Sequence, residues 1–246
     1  MAISFSNLGT SANPDINSET NATSYVTSSW VPPTSGLIVL FVYSRHATEM
    51  PNAPAVTGNN LGWALKTAND WDGVHNLSLF VANAVGSMEG ITTIDWESQT
   101  QECCIASFFL AEGVDLSGGI LSTVVQAPSN SGTGTSLSIT LSAAGHANNR
   151  PVSCFVHVAN EITTPRTNWT EADDLAGANP DRGLDSQWRS DAFETTASAS
   201  WTTSSSCGGI AAELKALLVS PSASVSPSVS PSASVSPSAS ESPSVS

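Results

Sequence analysis

The chain states one pattern twice. Trp96-Glu97-Ser98-Gln99 leads into Ile105-Ala106-Ser107-Phe108-Phe109-Leu110, which begins nine residues after its tryptophan. Trp201-Thr202-Thr203-Ser204 leads into Ile210-Ala211-Ala212-Glu213-Leu214 at the same spacing of nine. Upstream, Gly62-Trp63 is echoed by Asn168-Trp169, at an offset of 106 residues against 105 for Trp96 and Trp201. A period this long, with few helical segments inside it, argues against a solenoid of short repeats and predicts two matching halves of β-structure.

Apolar runs of strand length, bounded by Gly, Pro, Asn and Ser, fill both halves. In the first half they are Ile3 to Leu8, Tyr25 to Val31, Leu37 to Tyr43, Ala64 to Ala68, Leu77 to Ala84, Ile91 to Trp96 and Cys103 to Glu112. In the second they are Ile120 to Val125, Ser136 to Leu141, Val152 to Ala159, Gln187 to Thr195, Ala197 to Thr202 and Gly209 to Ala216. Strands without intervening helices predict an all-β, antiparallel sandwich with jelly-roll-like connections, its halves spanning about residues 1–116 and 117–218. The stretches 36–43 and 103–110 are apolar on both faces and belong at the centre of sheets. Trp63, Trp96, Trp169, Trp201 and Phe108 are the expected core aromatics.

From Ser220 the character changes to a ten-residue repeat of Pro, Ser, Ala and Val, so that residues 219–246 form a separate tail. Such a segment has too little apolar surface to fold alone, and its composition predicts an extended or polyproline-like spacer. It also suits an O-glycosylated stalk, with Ser222, Ser228, Ser232 and Ser238 as candidate acceptors.

With two lysines and a formal net charge of −14, the chain is unsuited to phosphate backbones, and no nucleic-acid partner is expected. An anionic membrane surface repels it for the same reason, and no apolar run reaches the eighteen or so residues that span a bilayer. The N-terminus shows neither a basic n-region nor an apolar h-region, so no secretory signal is expected. An outward-facing composition without a signal fits a protein made in a host cytoplasm and released in a virion, or a mature secreted protein with its signal removed.

Chemistry has few footholds. The adjacent Cys103 and Cys104 point to opposite faces of a strand, and Cys154 and Cys207 lie in other segments. A bridge such as Cys104–Cys154 is possible, but buried free thiols are the preferred reading. His46, His75, His146 and His157 belong to no nucleophile elbow, zinc motif or phosphate loop. His157 reads as a surface or hydrogen-bonded histidine. Asp70 and Asp72, in Asn69-Asp70-Trp71-Asp72-Gly73, resemble the opening of a calcium loop, although a β-turn at Asp72-Gly73 explains them better. Glu171, Asp173, Asp174, Asp181 and Asp185 could hold calcium, and read more simply as a solvated loop. No catalytic residue and no cofactor other than this weak calcium option is expected. Asn21, Asn76 and Asn168 open N-glycosylation sequons, which carry little weight in so Asn/Ser/Thr-rich a chain.

The phrase Pro32-Pro33-Thr34-Ser35-Gly36 before Leu37-Ile38-Val39-Leu40-Phe41-Val42, then Gly62-Trp63-Ala64-Leu65, Leu77-Ser78-Leu79-Phe80-Val81 and Ala106 to Val114, resembles a β-sandwich family. That family is found in phage virion structural proteins and in bacterial surface proteins of unassigned function. The resemblance covers about 215 residues, rests on packing motifs, and departs from the family at Ser35-Gly36, where a Gly-Asp pair is usual. It implies a fold and a virion or cell-surface setting, and it transfers no catalytic residue. The leading expectation is a non-enzymatic, oligomeric component of a phage particle surface: a capsid decoration, tail or fibre protein in contact with other virion proteins. Alternatives are an O-glycosylated extracellular fibril subunit and a module binding surface glycans through Trp71, Trp169 or Trp188.

Overall fold

The computed structural model describes residues 2–8, 14–86 and 88–218, so the tail and its four candidate serines lie outside the described residues. Nine strands build the first half: β1 (Ser4–Asn7), β2 (Ile16–Ser18), β3 (Ser24–Val26), β4 (Leu37–Arg45), β5 (Ala55–Gly58), β6 (Ala64–Trp71), β7 (His75–Asn83), β8 (Thr92–Asp95) and β9 (Cys103–Glu112). A large antiparallel sheet runs β1–β9–β4–β7–β6, with β2 also on β9, and a small one runs β3–β8–β5. Counting β2 to β9 as one to eight, the large sheet holds strands one, eight, three and six and the small sheet two, seven and four. This is jelly-roll connectivity. The fifth strand, β6, departs from it. The loop Asp72-Gly73-Val74, with Asp72 and Gly73 both at positive φ, folds β6 back onto β7 in the large sheet.

The second half repeats this order with fewer, longer strands. A 3-10 turn (Ile120–Thr123) leads into β10 (Val124–Gln126), β11 (Ser129–Thr140), β12 (Arg150–His157), β13 (Thr164–Pro165), β14 (Thr170–Ala178), β15 (Asp181–Trp188) and β16 (Thr196–Leu214). The sheet β10–β16–β12–β15–β14 matches β1–β9–β4–β7–β6 strand for strand, and β11 and β13 pair along β16. Here β11 does the work of both β2 and β3, and β16 that of β8 and β9. Ser129 to Gly134 pair with Ile210 to Ser205, and after a register shift Ser136 to Thr140 pair with Ser200 to Thr196. In the first half the turn at Trp96, with Glu97 at positive φ, separates β8 from β9. Thr202-Thr203-Ser204-Ser205-Ser206 contains only β-compatible residues, so the chain runs on.

Side-chain alternation then sorts the core into layers. Leu37, Val39, Phe41 and Tyr43 of β4, with Ile105 and Phe109 of β9, face Val152, Cys154 and Val156 of β12 and Ile210, Ala212 and Leu214 of β16, forming a central core between the two large sheets. Ile38, Leu40, Val42, Cys104, Ala106 and Phe108 turn the other way, into the first jelly roll, where they meet Tyr25, Trp30, Ile94 and Trp96. Leu137, Ile139, Phe155, Trp169, Ala199 and Trp201 fill the second jelly roll. The molecule is therefore two jelly rolls packed large sheet to large sheet.

The cross-half contacts reciprocate. Lys66 and Asn69 of β6 donate to the carbonyls of Val124 and Asn130 at 2.7 and 2.8 Å. Asn7 of β1 and Asn17 of β2 donate to the carbonyls of Ala172 and Ala176 of β14 at 3.0 and 2.9 Å.

Several sequence expectations need correction. The segment between Trp169 and Trp188 is the hairpin β14–β15 rather than a loop, because Leu184 and Trp188 are drawn into the central core. The strand expected over 120–125 begins as a 3-10 turn, and the strand expected from Gln187 to Thr195 ends at Trp188. Ala197 to Thr202 and Gly209 to Leu214 are parts of one strand, β16, and Ala216 beyond it forms an isolated bridge with Val114. Cys103 and Cys104 do face opposite cores, and all four cysteines are free and buried.

Candidate functional site

The expected core aromatics take up packing positions. Trp96, Trp169, Trp201 and Phe108 are buried, while Trp63 is half-buried and meets Phe108 edge-on with ring centroids 6.0 Å apart. The glycan reading required an exposed Trp71, Trp169 or Trp188, and all three are buried. Trp71 stacks on Tyr43 and His75. Trp188 stacks on Phe5, and Trp169 donates its indole N–H to Glu194 Oε2 at 3.0 Å. Apolar faces committed to the core offer no platform for a sugar ring.

The aspartates considered for calcium are dispersed among separate local partners. Asp70 accepts from Asn76 Nδ2 at 2.6 Å, and Asp72 accepts from the Ser206 hydroxyl across the two halves. Asp173 accepts from the Ser107 hydroxyl, Asp174 accepts from the Thr163 N–H at 3.1 Å, and Asp181 is exposed at the start of β15. The turn reading of Asp72-Gly73 holds. Among the described residues, no three histidine, cysteine or carboxylate side chains are placed to form a metal centre.

Asp185, on β15, stands apart. It is wholly buried, and neither carboxylate oxygen receives a hydrogen bond. The register sets Phe155 of β12 on one side of it and Asp174 of β14 on the other. Two residues along, on the same face, Ser153, Gln187 and Glu171 line up across the same three strands. Gln187 donates Nε2 to the Ser198 carbonyl at 3.0 Å and leaves Oε1 without a donor, as the Ser153 hydroxyl is left without a partner. Burial, and then the neighbouring Glu171 and Asp174 charges, push the Asp185 carboxyl well above its ordinary range. Burial likewise raises Asp174 to about 6, and raises Glu171. An equally buried carboxylate elsewhere shows the usual solution. Glu213 accepts from Gln126 at 2.5 Å, Gly145 at 2.8 Å and Asn149 at 2.6 Å.

The first jelly roll carries a version of the same place with an amide in the position of Asp185. There the cross-strand pair is Asp70 with Asn76, and Ser78 occupies the position of Gln187. Asn76 donates to Asp70, and Ser78 donates to Asn76 Oδ1 at 2.8 Å, so the chain of bonds closes. Sequence reading missed this contrast, because the two stretches align only through strand register. The one available signal was the alternation of Leu184, Ser186 and Trp188 with Gly183, Asp185 and Gln187.

His157, adjacent to this group, is buried. Its ring stacks on Trp201 at 4.7 Å between centroids, and Nε2 lies 3.1 Å from Thr163 Oγ1. Burial lowers its pKa to about 4, so it is neutral at physiological pH. Gly183 is required opposite it, since a Cβ there would lie 2.4 Å from His157 Nε2.

No family model, no curated protein and no solved structure matches this chain.

Proposed function

We propose that the chain is a non-enzymatic structural protein of a phage particle surface, acting by self-assembly and display as a capsid decoration, tail or fibre component. The observation that carries this reading is an apolar rim at one end of the first jelly roll. Val31, Val85, Met88 and Ile91 are 62%, 53%, 88% and 47% exposed there. They are held together by the Trp30–Gly90 backbone pairing and by the Gly86 N–H on the Pro33 carbonyl. Exposed apolar side chains gathered at one rim of an otherwise well-packed molecule suit contact with neighbouring subunits. The rigid double sandwich supports the same reading, since it leaves the strand ends and outer faces available for lateral contacts. Oligomers of such a unit are expected to close with cyclic symmetry.

The test is immunogold electron microscopy of native material with an antibody against residues 1–218. Label on particles with heads or tails is the expected result, and shows which part the protein builds. Label confined to free fibrils or cell surfaces overturns the virion assignment.

A further inference from the structure

We propose that the interior of the second jelly roll binds a hard divalent cation, calcium by its donor set, between the carboxylates of Asp185 and Glu171, with Gln187 Oε1 and Ser153 Oγ beside them. The unsatisfied groups of Asp185 and of the Ser153–Gln187 pair are all oxygens, while His157, one same-face pair away, leaves Nδ1 unpaired. Both oxygens of Asp185, Oε1 of Gln187 and Oγ of Ser153 are buried without a hydrogen-bond partner. Buried acceptors in native proteins are satisfied by donors, ordered water or ions, and an unpaired buried carboxylate is the costliest of them to leave alone.

The surrounding charges increase the demand. Beyond burial and hydrogen bonds, what acts on Glu171 and Asp174 is the charge of another carboxylate. The Asp185 carboxyl lies nearest that of Glu171, to which it can bond only through a shared proton. The arginines of this half are engaged elsewhere: Arg150 donates to the Ser190 and Asn149 carbonyls at 2.7 and 2.8 Å, Arg166 and Arg189 pair with Glu194 at 2.6 and 2.5 Å, and Arg182 reaches the first half, where it meets Asn17 at 2.9 Å. A cation supplies the missing positive charge.

The duplication provides an internal control. Asn76 at the equivalent position closes its network with an amide donor, and exchanging that amide for a carboxylate removes the donor and adds a charge. Two carboxylates, an amide oxygen and a hydroxyl form the all-oxygen, mixed-charge set that calcium accepts and that zinc or copper does not favour. Because only two of the donors are acidic, the arrangement is not a three-carboxylate centre. Glu171 is exposed and Asp185 wholly buried, so the pair joins a solvent-facing carboxylate to an interior one.

The experiment is thermal unfolding of the full chain at pH 7 with chelator and across a calcium series to 10 mM, alongside Asp185→Asn and Glu171→Gln. Half-saturation is expected at roughly 10⁻⁴ to 10⁻³ M, as for extracellular calcium modules, with Tm rising by about 3–10 °C at the top of the series. Asp185→Asn restores the first-half residue and should fold with no calcium response, and Glu171→Gln should need several-fold more calcium. A wild-type Tm indifferent to calcium and chelator overturns the proposal and leaves the shared proton as the occupant. A calcium response that Asp185→Asn retains overturns it as well, by placing the ion elsewhere.

Discussion

His75 illustrates how a residue that looks like chemistry becomes structure. Its ring lies between the layers, 5.2 Å from Trp71 and 5.9 Å from Tyr43 by centroids, with Nδ1 2.9 Å from the Tyr43 hydroxyl. Burial first, and then the Arg45 charge, hold its pKa at about 4. An unfolded histidine titrates near 6.5, so the folded state binds fewer protons between these values. The stability due to this group is therefore complete above about pH 6.5 and is lost as the pH falls toward 4. Urea titrations of the wild type and His75→Asn should show their difference shrinking by up to about 3 kcal/mol across that window, and a constant difference would show that the imidazole does not stay neutral. Trp96 and Trp201 make the complementary case: truncating either to alanine should cost about 3–5 kcal/mol by the same titration. Both were legible in the sequence, because each stands nine residues ahead of an apolar stretch in the echo. Asp185 was not. Its stretch Asp181-Arg182-Gly183-Leu184-Asp185-Ser186-Gln187-Trp188 carries the polarity of a loop, and only its neighbours on β12 and β14 make it an interior strand.

At the scale of elements, legibility followed how much of the strand's own side chains decide its burial. β4 and β9 are apolar on both faces, so their central position could be read directly. β13 and β14 gave no such signal, since Thr-Glu-Ala-Asp-Asp-Leu-Ala-Gly-Ala owes its strand conformation to pairing with β15. The fusion of two expected strands into β16 likewise depended on a missing turn rather than on a positive signal. The crossing of β6 over β16 is a further consequence of packing. Gly208 lies beneath the Trp71 ring, where a Cβ would meet Cε3 at 2.6 Å. Gly208→Ala should thus cost about 1–3 kcal/mol through overpacking. In a Trp71→Ala background that cost should largely disappear, because the ring that clashes is gone. Additive losses in the double mutant would show that the alanine acts through the backbone of β16 instead.

For the whole molecule, the decisive fact is which surface the two halves share. The echo announced two matching halves of one sandwich but not that each closes its own jelly roll or how the two meet, and the both-face apolarity of β4 and β9 finds its reason only in the second layer. A jelly roll standing alone needs its large sheet apolar on one side. Here Val39, Phe41, Ile105 and Phe109 on the opposite side find cover in the second half, from β12, β15 and β16. Arg182 strengthens the join from the periphery: wholly buried, it donates to Asn17 Oδ1 at 2.9 Å and approaches Glu19 at 3.6 Å. Neither half can then keep its fold once the other opens, since opening exposes the central core to water. Calorimetry of residues 1–218 should give one transition, with calorimetric and van't Hoff enthalpies in agreement. Residues 1–116 produced alone should aggregate or pair through the uncovered sheet. Two resolved transitions, or a soluble monomeric first half, would mean that the shared face is an interface between independent domains rather than the core of one.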